Sequence, residues 1–356
     1  MMLNKRDRRR PLSLSAVVTG VAVLVLAALA LACGSGGDGG ATPASTDGAG
    51  DNCEPGGGAP TEGEGPEGLV GTITYVRLVL GCLPEVYIMD ANGDNARAIT
   101  EDPGLDDEAD LSPDGTRVVF FSGRSGSALI YTMRTDGSDL QELTQGDGGD
   151  VSPRWSPDGS QIAFSDAGNL VVMNADGTDM RTVMRSVSAS TGEACRVGSI
   201  VGGWSPDGGE IVYYSAIISG EGNTFWICTV DVETGEIDVL VSEPEGGLHA
   251  EPHWSPDGTK IVFRDDRETI EGCSVSGGVC NYEIFVLDLE TGEEANLTNN
   301  PAFDIEPVWS PDGEWILFAS DRDDSNFDLY IMRADGSDVQ RILNDPDSKD
   351  SYPSWR

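Results

Sequence analysis

Short apolar runs rich in β-branched and aromatic residues and flanked by polar residues recur along most of the chain, each long enough for one β-strand. One series follows the phrase Ser-Pro-Asp-Gly and reads TRVVFFS, SQIAFS, GEIVYYS, TKIVFR and EWILFAS. A second series reads LIYTMR, NLVVMN, TFWICTVD, EIFVLDL and DLYIMR, and a shorter run such as QELT or QRIL follows an Asp-Gly or Thr-Gly turn. With the stretch that leads into each Ser-Pro-Asp-Gly phrase, every unit is predicted to form four antiparallel strands.

The phrase recurs at intervals of 44, 49, 50 and 55 residues, with its Ser at Ser112, Ser156, Ser205, Ser255 and Ser310. The preceding residue is Trp in four copies and Leu111 in the first. A period of this length is typical of stacked or radial repeats. Pro presets φ, Asp bonds to backbone amides and Gly allows positive φ, so the phrase predicts a hairpin between the first and second strands. We expect the Trp to pack beneath that hairpin.

The two ends of the repeat region complement each other. Residues 71–100 contain the second, third and fourth strands of a unit, whereas the last segment, DSYPSWR, contains a Trp strand alone. We therefore expect the C-terminal strand to complete the first unit, so that six four-stranded blades close into a ring without a long unpaired edge. The predicted fold is an all-β, six-bladed β-propeller over residues 69–356.

These repeats resemble the propeller of the TolB family and its Pro-Asp repeats, whose blades carry the same succession of W-S-P-D-G, I-x-F, I-Y-x-M and D-G. The resemblance covers residues 71–356. It implies a six-bladed propeller and a role with partners in the bacterial cell envelope. TolB itself has an α/β domain before its propeller, whereas this chain has a Gly-rich segment at that place.

Residues 1–32 have the features of an export signal, because the basic stretch KRDRRR is followed by an apolar run from Ala16 to Ala32. The sequence ALAC resembles the lipobox of bacterial lipoproteins, which implies cleavage before Cys33 and acylation of that residue. The alternative is an uncleaved membrane anchor, since about 17 apolar residues are near the lower limit for crossing a bilayer. Both alternatives place the remaining chain outside the cytoplasm, in the periplasm or cell envelope. Residues 33–68, rich in Gly, Pro, Ser, Thr and acids, are predicted to be a flexible tether.

The chain is strongly acidic, with 22 basic and 61 acidic side chains and a net charge of −39. Removal of the predicted signal takes away five basic side chains and Asp7, which leaves −43. Such a charge repels phosphate backbones and excludes nucleic acid as a partner. It favours solubility and cationic partners, although acidic surfaces are commonly just solvated.

The cysteine content fits an exported protein. Seven cysteines are present, and acylation of Cys33 leaves six, an even number typical of compartments that permit disulfides. Nearest neighbours along the chain give the predicted pairs Cys273–Cys280, Cys53–Cys82 and Cys195–Cys228. A zinc site is the alternative, but no CxxC pair occurs and only two histidines are present.

Polar residues lie five positions before the Trp position in every unit, and three positions before it in every unit except the fourth, which has Val201 there. Innermost strands line the central channel of a propeller, and period-two alternation points both positions the same way. The predicted channel residues are Asp106, Glu108, Asp150, His249, Glu251, Asp304, Glu306, Asp350 and Tyr352. Crowded carboxylates raise one another's pKa, so the set favours a divalent cation such as calcium or a basic peptide segment. The alternative is a hydrated channel without a ligand.

No catalytic signature accompanies the repeats. A G-x-S-x-G motif is absent from the sequence, and no room remains for the hydrolase domain of prolyl-oligopeptidase-like peptidases. Oligogalacturonate lyases, which this chain resembles in architecture, depend on several metal-binding histidines. The two histidines here lie in HAEPH, where Pro252 forbids a zinc-binding helix.

We therefore expect a monomeric, non-catalytic lipoprotein without a cofactor, whose propeller is a scaffold that binds an envelope protein, peptide or ligand. The alternative is an enzyme, or a carbohydrate- or cation-binding subunit, that uses the acidic channel. The two alternatives differ in what the channel must contain, because catalysis needs titratable groups that converge on a substrate cleft.

Overall fold

The chain folds almost entirely into short antiparallel strands. The computed structural model describes strand Thr61–Glu62 and residues 65–66, 68–79, 81–188, 194–219, 222–242, 248–266, 281–323, 326–345 and 347–356. Within these ranges, every regular element is a β-strand. The strands form six four-stranded sheets and one two-stranded sheet. The predicted all-β, six-bladed propeller is confirmed.

In each blade the strands follow one another outward from the centre in sequence order, except that the innermost strand of blade 1 is the last strand of the chain. Blade 1 comprises β26 (Ser348–Trp355), β2 (Thr72–Val79), β3 (Glu85–Asp90) and β4 (Arg97–Ala98). Blade 2 comprises β5 (Asp106–Leu111), β6 (Arg117–Ser122), β7 (Leu129–Arg134) and β8 (Gln141–Glu142). Blade 3 comprises β9 (Asp150–Trp155), β10 (Gln161–Asp166), β11 (Asn169–Asn174) and β12 (Arg181–Met184).

Blade 4 comprises β13 (Ile200–Trp204), β14 (Glu210–Ser219), β15 (Gly222–Asp231) and β16 (Ile237–Ser242). Blade 5 comprises β17 (Ala250–Trp254), β18 (Lys260–Asp265), β19 (Glu283–Asp288) and β20 (Glu294–Asn296). Blade 6 comprises β21 (Asp304–Trp309), β22 (Trp315–Ser320), β23 (Asp328–Arg333) and β24 (Gln340–Arg341). The two-stranded sheet pairs β1 (Thr61–Glu62) with β25 (Leu343–Asn344).

The Ser-Pro-Asp-Gly phrase forms the hairpin between the first two strands of a blade. In blade 3, Ser156 Oγ donates to Asp158 Oδ1 at 2.7 Å and accepts from the amide of Gln161 at 2.9 Å. Asp158 also accepts from the amide of Ser160 at 2.9 Å. Gly159 has a φ of 71°, which costs glycine little. The same bond from Ser to Asp recurs in the other four turns, so side-chain bonds close these hairpins as the turn chemistry predicts.

The last strand pairs with the first blade. Strand β26 lies antiparallel to β2, with Trp355 opposite Ile73 and Asp350 opposite Arg77, and Trp355 Nε1 donates to Val70 O at 3.1 Å. Each innermost strand contacts the innermost strands of both neighbouring blades, in the order β26, β5, β9, β13, β17, β21 and back to β26. These six strands, called the hub below, therefore form a closed circle.

The hydrophobic core lies between neighbouring blades. Around Trp155, which is 3% exposed, Val119 and Ile130 of blade 2 cluster with Ile162 and Phe164 of blade 3. The other Trp residues of the repeated phrase lie in equivalent clusters at the following blade boundaries. Removal of a buried Trp typically costs about 3–5 kcal/mol, so these side chains hold adjacent blades together.

One predicted disulfide is confirmed, because Cys195 in the segment before β13 is bonded to Cys228 on β15. Cys82 is also disulfide-bonded. Cys53, Cys273 and Cys280 lie outside the described residues, so the pairs Cys53–Cys82 and Cys273–Cys280 stay predictions.

Most of the features predicted for the N-terminal part of the chain lie outside the described residues. The signal peptide, Cys33 and most of the predicted tether are not among them. Within residues 33–68, Thr61–Glu62 pair antiparallel with Leu343–Asn344. Backbone hydrogen bonds thus fix this short segment beside blade 6, and the flexible tether otherwise stays a prediction.

Candidate functional site

The hub strands are irregular at one repeated position. The residue three positions before the Trp position has a positive φ in five of them: Glu108 (50°), Ser152 (55°), Glu251 (55°), Glu306 (56°) and Tyr352 (48°). The register with the second strand shifts beside this position in all six blades. A positive φ costs a residue with a Cβ atom about 1–3 kcal/mol, so surrounding contacts must hold these bulges in place.

The bulge separates the two sets of predicted channel residues. In blade 2, for example, the register shifts between Asp107 and Asp110, which encloses Glu108. The expected period-two alternation therefore does not hold across the bulge. Residues five and three positions before the Trp position consequently lie in different surroundings.

Three aspartates five positions before the Trp position are fully buried and form ion pairs within their own blades. The pairs are Asp106–Arg124 (2.9 Å), Asp304–Arg322 (2.8 Å) and Asp350–Arg77 (2.8 Å). Each guanidinium also lies over two aromatic rings of its blade, 4.9–5.5 Å from the ring centroids. These carboxylates therefore face counter-charges, and the sequence prediction missed the arginines that provide them.

The same position is buried in blades 3 and 5. Asp150 is 7% exposed, and burial raises its pKa to about 6. His249 Nδ1 lies 2.6 Å from Asp265 Oδ2, and both side chains are fully buried. The His249–Asp265 contact attaches β17, the hub strand of blade 5, to β18, its second strand.

Glu108, Glu251 and Glu306, called the glutamate ring, join neighbouring hub strands. Each carboxylate accepts a hydrogen bond from the bulge residue of the next blade. The donors are Ser152 N–H to Glu108 (2.6 Å), Glu306 N–H to Glu251 (2.8 Å) and Tyr352 N–H to Glu306 (2.5 Å). Each of these bonds joins the backbone of one hub strand to a side chain of the preceding one. The ring thus helps to hold the strained bulges.

The glutamate ring is electrostatically coupled to its neighbours. Burial and the nearby Glu251 raise the pKa of Glu306 well above its ordinary value. Burial and Glu306 likewise raise the pKa of Tyr352. Arg264 Nε lies 2.9 Å from Glu251 Oε2, so one guanidinium offsets part of the negative charge. Of the predicted channel residues, the structure brings together Glu108, Glu251, Glu306 and Tyr352.

A cavity of about 280 Å³ lies at the end of the hub that adjoins the Ser-Pro-Asp-Gly turns. Its wall contains five Trp and five Pro side chains: Trp155, Trp204, Trp254, Trp309, Trp355, Pro113, Pro157, Pro206, Pro256 and Pro311. Arg154, His253 and Arg356 also line it. We call this cavity the tryptophan mouth. The channel prediction did not include these three polar residues, although each is adjacent to a Trp in the sequence.

Metal ligands are not clustered in the part of the chain that the structure describes. No group of three or more His, Cys, Asp or Glu side chains there is arranged to hold a metal ion. The predicted divalent cation therefore stays a prediction.

The repeated blades and turns match a known family. A family model described as TolB beta propeller domain matches residues 75–194 and 169–356. The chain belongs to the TolB β-propeller family. The resemblance seen in the sequence is thereby confirmed, and it covers the six blades described above.

Two curated relatives match parts of this TolB-like propeller. An uncharacterized peptidase, YuxL, of Bacillus subtilis is 29% identical over 160 residues, which are 36% of this chain and 23% of the peptidase. The Tol-Pal system protein TolB of Bordetella pertussis is 46% identical over 50 residues, which are 14% of this chain and 11% of that protein. The matched part thus spans less than a quarter of either relative.

A solved structure shares the fold. TolB from Acinetobacter baumannii superimposes with a TM-score of 0.63 at 19% identity, over 80% of this chain and 66% of that chain. In the described residues of the present chain, no helix has the length and apolar character needed to cross a membrane.

Proposed function

We propose that this chain is an exported, lipid-anchored member of the TolB β-propeller family that binds an envelope protein or peptide and has no catalytic activity of its own. The non-catalytic part of the proposal rests on the ion pairs and hydrogen bonds that already engage the ionisable groups of the hub. Three buried aspartates pair with arginines, and the glutamate ring accepts backbone N–H bonds. A catalytic acid or base must instead be within reach of a substrate proton.

The envelope location is supported by two kinds of observation. The sequence places an export signal and the lipobox-like ALAC before the propeller. In addition, one relative of the propeller is named as a protein of the Tol-Pal system. The relative named as a peptidase supports an enzymatic alternative weakly, because the match covers 23% of that protein.

The anchoring part of the proposal is tested by expressing the full chain and its Cys33→Ser variant in a bacterial host. We expect the unchanged chain in the membrane fraction and the variant in the soluble fraction, because stable attachment requires the acyl chains on Cys33. Cys53→Ser is the matched control, since it also replaces an extracytoplasmic cysteine and should leave the protein on the membrane. Membrane retention of Cys33→Ser equal to that of the control would contradict lipid anchoring and favour the uncleaved helix.

The binding part of the proposal is tested by cross-linking in intact envelopes. We expect the full chain to cross-link to a discrete envelope protein, and an excess of the purified chain without the signal to compete for that product. A cross-linking pattern that does not respond to the competitor would contradict specific binding.

A further inference from the structure

The tryptophan mouth combines an apolar wall with unused positive charge. Its Trp and Pro side chains supply flat apolar surface, and its volume of about 280 Å³ lies at the lower limit for ligand pockets. A cavity of that size accepts one residue-sized group. Aromatic walls of this kind favour a ligand with an apolar body.

Arg154 provides a positive charge that no carboxylate contacts closely. Its Nε donates to Gly202 O at 3.1 Å, and its Nη1 donates to Pro153 O at 2.9 Å and Glu108 O at 3.4 Å. Among the residues that the structure describes, Arg154 has no ion-pair partner. Backbone carbonyls thus hold the guanidinium in place. The Glu108 carboxylate interacts with it electrostatically, since burial raises the pKa of Glu108 and Arg154 acts against that effect. No ion pair within the described residues neutralises the guanidinium, so its charge is available to a ligand.

Arg356 adds a second guanidinium to the wall. Its Nη2 lies 3.7 Å from Asp110 Oδ1, a loose ion pair. The Asp110 carboxylate is already engaged, because it accepts from Trp155 N–H at 2.8 Å and from Ser354 Oγ at 2.7 Å. Two guanidinium groups therefore line the cavity, and no acidic side chain is among the described residues that line it.

The surroundings of His253 agree with this charge balance. Burial, with Arg356 and Arg154 nearby, lowers the pKa of His253 to about 3, although Asp110 acts in the opposite direction. The imidazole is therefore neutral near pH 7. The positive charge of the mouth comes from the two arginines and does not change between pH 6 and 8.

The rim of the mouth is acidic, which limits the charge of a ligand. The prolines in its wall belong to Ser-Pro-Asp-Gly turns, and each turn places an aspartate beside its proline. A multiply charged anion is repelled by these carboxylates more than a single carboxylate is. Planar guanidinium groups also match the geometry of a carboxylate.

We propose that the tryptophan mouth binds a carboxylate joined to an apolar body, as found at the C-terminus of a peptide or in a small organic acid. The two guanidinium groups receive the carboxylate, and the Trp and Pro side chains contact the apolar part. This inference rests on the binding role proposed above, but it does not depend on membrane attachment.

The test measures binding of acetyl-Gly-Ala-Leu with a free C-terminus to the purified chain, by calorimetry and by intrinsic fluorescence, since five of the seven Trp side chains line the cavity. We expect saturable binding that is unchanged between pH 6 and 8. Amidation of the peptide C-terminus should weaken binding at least tenfold, because it removes the charge-assisted bonds. Equal affinity for the acid and the amide would overturn the proposal.

The variants Arg154→Gln and Arg356→Gln should each weaken binding of the acid about fivefold or more and leave binding of the amide unchanged. Arg181→Gln is the matched control, because Arg181 also donates to a backbone carbonyl, that of Val232, on an outer strand away from the mouth. An equal loss of affinity in Arg181→Gln would show that only the overall electrostatic potential of the protein affects binding, and it would contradict a site at the mouth. If Arg154→Gln does not fold, Arg356→Gln alone decides.

Two further probes distinguish the sources of the carboxylate. Binding of 4-methylpentanoate as tight as that of the peptide would identify a small-acid site, and binding of the peptide alone would identify a site for a chain terminus; both support the proposal. Inorganic phosphate that binds as tightly as the peptide would contradict it. Failure of all these carboxylates to bind at 10 mM would also overturn it. The membrane anchoring and envelope cross-linking experiments do not depend on this result, so the proposed function is tested separately.

Discussion

At the scale of single residues, buried arginines offset the cost of burying aspartates in the hub strands. Arg77 is 2% exposed and Asp350 is fully buried, and two hydrogen bonds of 2.8 and 2.9 Å join them. Arg77 also lies 3.1 Å from Asp345. A buried charge that loses its partner is strongly destabilising, whereas an intact pair is close to neutral relative to an apolar replacement.

Arg77→Met should therefore lower the free energy of unfolding by about 3–5 kcal/mol, because it leaves Asp350 buried without its partner. Urea denaturation followed by Trp fluorescence measures this change. Arg134→Met is the control, since Arg134 is 59% exposed and lies 3.9 Å from Asp139; its cost should stay below about 1 kcal/mol. Adding Asp350→Asn to Arg77→Met should recover part of the loss. A loss of less than about 1 kcal/mol for Arg77→Met would contradict this role.

The sequence located the acidic positions but not their partners. Period and spacing placed Asp106 and Asp304 correctly on the hub strands. Their arginines lie at the end of another strand, in SGR and SDR, two residues after the Ser that ends it. That shared offset was a usable signal. It could not be interpreted without knowing which strand ends lie beside each other.

At the level of strands, the bulge is the feature that periodicity could not predict. Regular alternation was assumed across the hub strands, yet each one changes register near the same position. Four of them carry Pro two residues before Trp: Pro153, Pro252, Pro307 and Pro353. Because Pro within a sheet is confined to edges and bulges, this repeated Pro was the available sign.

Blade 4 has Gly202 at that position, and its small size is required. A Cβ atom on Gly202 would lie 2.1 Å from Pro252 O in the neighbouring hub strand, whereas one on Gly203 would have no atom nearer than 3.6 Å. Gly202→Ala should therefore destabilise the protein by about 2 kcal/mol or more, because a backbone atom must move. Gly203→Ala is the adjacent control and should change stability by less than about 1 kcal/mol. Thermal melts of both variants measure the difference. Similar melting temperatures would contradict the prediction, because they would show that the neighbouring hub strands can move apart at little energetic cost.

At the level of the whole molecule, the number of blades followed from counting strands. Five complete phrases and two incomplete ends gave six sheets, which the topology confirms. The tryptophan mouth could not be predicted in this way, since Arg154, His253 and Arg356 come from blades 3 and 5 and the chain end. Only the circular arrangement of the hub places them around one cavity.

The pH dependence of stability should reflect two opposing groups of carboxylates. Burial raises the pKa of Glu85 from 4.5 to about 7 and that of Asp150 from 3.8 to about 6. Hydrogen bonds lower the pKa of the exposed turn aspartates, such as Asp158 and Asp257. The buried group favours the native state while it is protonated, so its contribution is lost as pH rises from about 4 to 7. The turn aspartates favour the native state while ionised, so their contribution is lost as pH falls below 3.8.

The protein should therefore be more stable at pH 5 than at pH 8, with a maximum near pH 4–5. Calorimetric melts at constant ionic strength measure this, and each kcal/mol gained raises the melting temperature by roughly 2–4 °C. Glu85→Gln should narrow the difference between the two pH values, because the amide cannot ionise in its partly buried site. The exposed Glu293→Gln changes the net charge equally and should leave that difference unchanged. A melting temperature higher at pH 8 than at pH 5 would show that the ionised buried carboxylates stabilise the fold, contrary to the cost of burying them.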